Sequence, residues 1–103
     1  MRVLLVEDTD GMRKIGGVML QDMGFKDLVT AANGREALEV LENVDVGLLL
    51  TNWSMPVMDG LELVQEVRAQ RRNANLPVIM FTSRAAREVV VQALEAGVDG
   101  YVA

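Results

Sequence analysis

The residues of this chain best suited to chemistry are two acids, an amide and two hydroxyls, each placed where a short apolar run ends. Carboxylates can bind a divalent cation or attack a phosphoryl group, whereas a carboxamide is a poor nucleophile and an uncharged ligand. The amide therefore decides which chemistry is open to the group. The five residues are Glu7, Asp8, Asn52, Thr82 and Ser83.

Composition excludes several classes of function. A chain of 103 residues accommodates one domain, spanning residues 1–103. Fifteen acidic against ten basic residues give a net charge of −5, which disfavours binding to nucleic acid or to anionic membranes. The absence of Cys and His rules out disulfides, thiol catalysis and histidine-based hydrolase or zinc sites. With no signal peptide or membrane-spanning run, we expect a cytoplasmic protein.

Short apolar runs alternate with helical patterns along the chain. The runs are continuous rather than alternating, which is typical of strands covered on both faces of a parallel sheet. Asn33 with Glu36, and Asp59 with Glu62, have the spacing of helix caps, and Gly24 lies where a left-handed helix stop is expected, as does Gly97. The sequence therefore predicts a βαβαβαβαβ order, with strands at 3–6, 28–31, 46–51, 78–82 and 100–102.

This order also predicts where the polar residues meet and which face of the sheet is exposed. Ligands of such sheets bind at the carboxyl ends of the strands, so the five residues named above should surround one crevice. With right-handed crossovers and one reversal of strand order, the first helix lies alone on one face. We expect that a closing helix is missing there and that an apolar patch is exposed. The helical stripe of Met12, Ile15, Met19 and Met23 is predicted to be core.

Five segments together resemble the receiver domains of two-component response regulators, most closely the single-domain chemotaxis regulators of the CheY type. The resemblance implies a doubly wound α/β fold with a flavodoxin-like strand order 2-1-3-4-5, lacking its C-terminal helix. It also implies signalling rather than enzymatic activity, with a sensor histidine kinase and a downstream signalling protein as partners. The segments are VLLVED (3–8), MGF (23–25), NWSMPVMDGLEL (52–63), LPVIMFTS (76–83) and AGVDGYV (96–102).

Site residues follow from the resemblance position by position. Glu7 and Asp8 match the family's magnesium-holding carboxylates, with Asp8 the expected direct ligand and the backbone carbonyl of Ser54 a further one. Asn52 occupies the place of the phospho-accepting Asp, so the usual aspartyl phosphate cannot form and magnesium should bind weakly. Thr82 matches the hydroxyl residue that bonds the phosphoryl group. A lysine is implied directly after residue 103.

The expected partner surface lies on the fourth helix and the fifth strand. Tyr101 matches the family's switch aromatic, and the fourth helix carries more apolar residues than one buried stripe uses. We therefore predict that Val90, Leu94 and Tyr101 form the partner surface, rimmed by Arg87 and Arg84.

Simpler interpretations of the same residues stay open at this point. Asp8 or Asp10 can cap the first helix, Asn52 can be a turn residue, and the hydroxyls can bond locally. Asn52 can be native or an engineered replacement. A receiver fragment or pseudo-receiver that self-associates through its uncovered face is an alternative function. A magnesium-dependent phosphatase using Asp8 and Asp10 is a remote one, and a flavin carrier is disfavoured because acids replace its phosphate loop.

Overall fold

Strands and helices alternate strictly along the chain. The computed structural model of the protein describes residues 1–82 and 87–102, without the side chain of Arg87. Within those ranges the elements are β1 (Arg2–Val6), α1 (Asp10–Asp22), β2 (Asp27–Ala31), α2 (Gly34–Asn43), β3 (Leu48–Asn52), α3 (Gly60–Ala69), a 3-10 turn (Arg71–Asn73), β4 (Val78–Phe81), α4 (Arg87–Ala96) and β5 (Gly100–Val102).

All strand pairs are parallel, and the order across the sheet is β2-β1-β3-β4-β5. The predicted fold class and strand order are confirmed. Val3 lies opposite Leu48, and Leu49 lies opposite Val78, so the carboxyl ends of β1, β3 and β4 reach the same edge. Within the described ranges no helix has both the length and the apolar character needed to cross a bilayer.

The largest error in the predicted strand boundaries is at β3, which begins at Leu48 rather than at 46 and ends at Asn52. Gly47 belongs to the preceding connection, where its N–H donates to the Arg2 carbonyl (2.8 Å). The strand β4 ends at Phe81, one residue before Thr82, although the Thr82 N–H still donates to the Val102 carbonyl (3.0 Å).

The helix signals have the predicted roles. Asp59 and Glu62 form a reciprocal capping box at the start of α3. Asn33 caps α2 by accepting from the Glu36 N–H (2.9 Å), but the Glu36 carboxylate accepts from the Ala32 N–H instead of from Asn33's own. Gly24 (φ 104°) and Gly97 (φ 109°) both adopt the left-handed conformation that side chains disfavour.

The sheet has one face that is covered by three helices, which we call the closed face. Side chains from α2, α3 and α4 pack there against alternate residues of β1, β3 and β4, and most of these residues are fully buried. This cluster is the main core of the domain. Its fully buried members include Leu4, Val6, Ala37, Leu49, Leu63, Val64, Val67, Val78, Met80 and Ala93.

Among the described elements, α1 is the one that covers the opposite face, which we call the open face. Leu20 packs there against Val3 and Leu5, and it is the buried residue of α1. Beside α1 a small groove of about 220 Å³ is lined by apolar residues and by the backbone at Gly16. These residues are Leu5, Gly16, Met19, Leu20, Met23, Leu50 and Phe81. The predicted exposed apolar patch is confirmed.

The prediction that the α1 stripe is core is wrong. Met12, Ile15, Met19 and Met23 are between 55% and 69% exposed. The helical periodicity identified an apolar stripe correctly, but the stripe points along the open face, where no described element covers it. Apolar spacing shows which residues share a side of a helix and does not show what that side contacts.

Candidate functional site

A cleft of about 490 Å³ lies at the carboxyl edge of the sheet, where β1, β3 and β4 end. Of the five residues expected around one crevice, Glu7, Asn52 and Thr82 line it, Asp8 does not, and Ser83 lies outside the described residues. Three apolar residues complete its wall. The lining residues are Glu7, Asn52, Ser54 and Thr82, together with Met12, Phe81 and Val102.

Glu7 is held in place by several hydrogen bonds. It follows β1 directly and is only 6% exposed. Its Oε1 accepts from the Asn52 Nδ2 (3.0 Å), and its Oε2 accepts from the Thr9 N–H (3.1 Å). Its backbone carbonyl accepts from the Arg13 guanidinium (2.8 Å), which ties the end of β1 to α1.

Burial raises the pKa of the Glu7 carboxyl, because the charged form loses solvation. The neighbouring Asp8 carboxyl raises this pKa further through a hydrogen bond and charge repulsion. Hydrogen bonds from the Thr9 N–H and the Asn52 amide lower this pKa.

The two acids Glu7 and Asp8 lie together, as expected, although Asp8 does not line the cleft. The N-cap residue of α1 is Thr9, whose side chain makes no capping hydrogen bond. Neither Asp8 nor Asp10 therefore caps this helix.

Asn52 uses both ends of its amide. Its Nδ2 donates to Glu7 and, at 3.4 Å, to the Ser54 carbonyl, while its Oδ1 accepts from the Trp53 N–H (2.8 Å). The bond to Trp53 is the local backbone contact expected of a turn residue. The bond to Glu7 joins two residues that are 45 positions apart and places the amide within the site.

The loop after Asn52 is fixed by an unusually close approach of two backbones. A Cβ placed on Gly60 would lie 2.2 Å from the Asn52 carbonyl oxygen, and the Gly60 N–H donates to the Trp53 carbonyl (2.8 Å). Only glycine fits the start of α3 at this distance. Together with the Asp59 capping box, this contact positions β3's carboxyl end against α3.

The residues predicted to switch and to bind partners lie directly after β4, on α4 and on β5. Thr82 is almost fully buried at the cleft, and Tyr101 is half-buried and packs against the closed-face core. Leu94 is 51% exposed on α4, whereas Val90 is half-buried. Arg87 begins α4, but its side chain lies outside the described residues, as do Ser83 and Arg84.

Sequence reasoning missed four residues that shape the site. Met12, Phe81 and Val102 line the cleft, and Arg13 holds the Glu7 carbonyl. Phe81 and Val102 follow the alternation of their strands and were open to prediction. Asp10 lines a different groove, between α1 and β2, and pairs with Arg13, which does not support the phosphatase alternative that needs Asp8 and Asp10 in one site.

Oxygens of the kind that Mg²⁺ prefers lie in the cleft and next to it: the Glu7 carboxylate and the Ser54 carbonyl line it, and the Asp8 carboxylate neighbours Glu7. Among residues 1–82 and 87–102, however, no group of three or more acidic, His or Cys residues is placed to hold a metal ion. The donor types therefore suit a magnesium ion, and the number of charged ligands is small.

Comparison with known proteins agrees with this architecture. The chain is 41% identical over 102 residues to the chemotaxis protein CheY of Pseudomonas aeruginosa, covering 99% of this chain and 82% of that protein. The structure of CheY4 of Vibrio cholerae superposes with a TM-score of 0.91 at 33% identity, covering 98% of this chain and 83% of that one.

A second solved structure bears on the metal. It is the response regulator TrrA of Thermotoga maritima in complex with Mg²⁺ and BeF, with a TM-score of 0.86 at 29% identity, covering 98% of this chain and 84% of that one. The family model of the response regulator receiver domain matches residues 3–103. With this match over nearly its whole length, the chain belongs to the response regulator receiver domain family of two-component signalling, and it is CheY-like.

Proposed function

We propose that this receiver is not phosphorylated at residue 52 and acts in the cytoplasm by binding partner proteins rather than as an enzyme. The observation that carries the proposal is the hydrogen bond from the Asn52 Nδ2 to the Glu7 carboxylate. A carboxamide has no nucleophilic oxyanion with which to attack a phosphoryl group. The nitrogen end of this amide, moreover, faces the acid.

The same bond supports a site that is stable without phosphorylation. A carboxylate at residue 52 would place two negative charges about 3 Å apart in a partly buried cleft, and such a pair needs a cation or a proton. The amide instead donates a hydrogen bond to Glu7 and removes that repulsion. With an uncharged residue at position 52, the site keeps one resting conformation, and the bias that phosphorylation supplies in a two-state switch is absent.

Intact-mass measurement tests this proposal. The protein and its Asn52→Asp variant would each be incubated with acetyl phosphate and Mg²⁺, then weighed and mapped by peptide. We expect a phosphoryl group on Asp at residue 52 in the variant and none at residue 52 in the parent chain. Stoichiometric phosphorylation of the parent at this residue would overturn the proposal.

We propose that Mg²⁺ binds weakly at the carboxyl edge of the sheet, through the Glu7 and Asp8 carboxylates and the Ser54 carbonyl. The ion would offset the repulsion between the two acids. Because ligand charge governs divalent-cation affinity, Asn52→Asp should tighten binding by about tenfold or more. The chain's single tryptophan, Trp53, is adjacent to Asn52, so its fluorescence provides the titration signal. Equal affinities would contradict the assignment of these ligands.

The proposed partner surface comprises Val90, Leu94 and Tyr101, with Arg87 at its rim. Its support is the exposure of Leu94 on α4 and the half-buried position of Tyr101 on β5. The partners proposed are a sensor histidine kinase and a downstream signalling protein. Leu94→Asp should weaken binding to a chemotaxis histidine kinase in a titration, while Gln70→Asp, on the loop after α3, should leave it unchanged.

The open face supports a second candidate function, which is self-association. Met12, Ile15 and Met19 of α1 and Met23 directly after it are more than half exposed, and monomers rarely leave such a stripe uncovered. Sedimentation velocity of the chain and of Met19→Glu would test it. Concentration-dependent dimers that Met19→Glu abolishes would support this function, provided that Val57→Glu, an exposed apolar site on the loop before α3, leaves them intact. A monomer at high concentration would refute it.

A further inference from the structure

In the described part of the chain, the strand β2 forms one edge of the sheet, and its one pairing partner is β1. The Ala31 carbonyl faces β1, since it accepts from the Glu7 N–H (3.1 Å). Consecutive residues of a strand direct their backbone groups to opposite edges, so those of Leu28 and Thr30 face away from the sheet. Within the described ranges no other strand pairs with this edge, which leaves a row of groups able to bind another strand.

Grooves flank this edge on both faces of the sheet. On the α1 side a groove of about 670 Å³ includes Lys14, Leu28 and Thr30. On the α2 side a groove of about 390 Å³ includes Val29, Thr30 and Glu39. Thr30 lines both, so the two grooves meet at β2. A strand added at this edge would direct alternate side chains into the two grooves.

The two edges of the sheet differ in their capacity to bind a strand. The opposite edge, β5, has three residues, whereas β2 has five. Natural edge strands are commonly protected by proline, bulges or charges along their length. In β2 the charged residue is Asp27 at its beginning, and Leu28 to Ala31 carry no charge and no proline. The edge of β2 thus offers an uncharged run of four residues, Leu28 to Ala31, for pairing.

Charge distinguishes the possible occupants. On the α1 side Arg13 pairs with Asp10, and the exposed Lys14 lies one residue further along the helix. On the α2 side Glu36 and Glu39 line the groove. Two copies of β2 paired about a two-fold axis would bring these glutamates together with their own copies, which repels. A foreign strand with basic side chains on that face does not meet this repulsion.

We propose that the edge of β2 binds an extended segment of a partner protein as an added strand, with acidic side chains toward Lys14 and basic side chains toward Glu39. Backbone hydrogen bonds to Leu28 and Thr30 supply affinity, and the two grooves select the alternating charges. The proposal is independent of residue 52 and of the α4–β5 surface.

A substitution at Thr30 tests the backbone contact. The probe is a fluorescently labelled, capped peptide of about seven residues, with glutamate and valine on one face and lysine on the other. Thr30→Pro removes the outward N–H, and proline is tolerated at that place in an edge strand. We expect Thr30→Pro to weaken peptide binding by about tenfold or more, measured by anisotropy, and Thr30→Val to change it by less than about twofold. Equal binding by Thr30→Pro and the parent chain would overturn the proposal.

A charge exchange keeps the test valid even where Thr30→Pro fails to fold. Glu39→Lys should bind the lysine-faced peptide less tightly than the parent chain does and should prefer a peptide whose lysines are replaced by glutamates. No preference, or no binding of either peptide by the parent chain, would overturn the proposal. So would dimers of the parent chain that Thr30→Pro abolishes, because the occupant would then be a second copy.

Discussion

The two faces of the sheet differ in how completely helices cover them. On the closed face three helices bury residues such as Leu49 and Leu63 completely. On the open face a single helix buries Leu20 and leaves Met19 and Met23 more than half exposed. The strands are shared, so the difference comes entirely from what packs on them. Most of the stability should therefore depend on the closed face.

The candidate site belongs to the less covered side. Side chains alternate along a strand, so Glu7 follows Leu5, and Asn52 follows Leu50, on the open face. The cleft accordingly includes the open-face residues Met12 and Phe81. The polar residues of the candidate cleft therefore lie next to the exposed apolar residues of the open face, while the core on the closed face holds the strand ends in position.

The largest expected difference between the faces comes from adding one methyl group. Gly60→Ala should destabilise the protein by about 3 kcal/mol or more, because its Cβ would lie 2.2 Å from the backbone oxygen of Asn52. Gly17→Ala, on α1, should stabilise it by about 0.5 kcal/mol or more, since the nearest atom is a Leu28 methyl at an ordinary 3.4 Å and alanine favours the helix. Urea unfolding measures both. Equal changes in the free energy of unfolding for the two variants would refute the expected difference between the faces.

A second, smaller difference is expected from two neighbouring leucines of β3. Leu49 points into the closed face and is fully buried, whereas Leu50 lies on the open face and is partly exposed. Leu49→Ala should lower the free energy of unfolding by about 3 kcal/mol, and Leu50→Ala by about 1 kcal/mol. If truncation of Leu50 costs as much as truncation of Leu49, the open face is covered in solution.

The smallest effect concerns Glu7 and appears as a pH dependence. The pKa of this carboxyl is raised above its ordinary value of 4.5, chiefly by burial. Above that ordinary value the folded state binds more protons than the unfolded state. This group's contribution to stability therefore falls as pH rises toward the raised pKa and is constant beyond it.

Replacing the Glu7 carboxyl by an amide should remove this pH dependence of the stability. The stability of Glu7→Gln relative to the parent chain should increase as pH rises from about 4 to about 7. Urea midpoints at several pH values measure the difference, and Glu66→Gln, at an exposed position on α3, is the control. A constant difference between Glu7→Gln and the parent chain would mean that the folded and unfolded pKa values are equal.

Much of the fold could be predicted because its signals are local. Continuous apolar runs located the strands to within two residues, and the Asp59–Glu62 spacing predicted a capping box that is present. The failure at the Met12 to Met23 stripe has a definite cause. Periodicity depends on the chain itself, whereas burial depends on a neighbouring element, and on the open face no described element supplies one.

The site was predictable in position and less so in contacts. Topology alone brings the ends of β1, β3 and β4 together, which placed Glu7, Asn52 and Thr82 correctly at one cleft. The hydrogen bonds from the Asn52 amide to the Glu7 carboxylate and from Arg13 to the Glu7 carbonyl depend on side-chain rotamers, which the spacing of residues in the sequence does not predict.

Phe81 lines both the cleft at Asn52 and the apolar groove beside α1. One aromatic side chain is thus a common wall between a cleft of mixed polar and apolar lining and a groove lined by apolar residues. A molecule that fills the groove would contact Phe81, which also bounds the space beside the Asn52 amide. By thermodynamic reciprocity, whatever affinity one occupant gains or loses through that ring, the other gains or loses by the same factor.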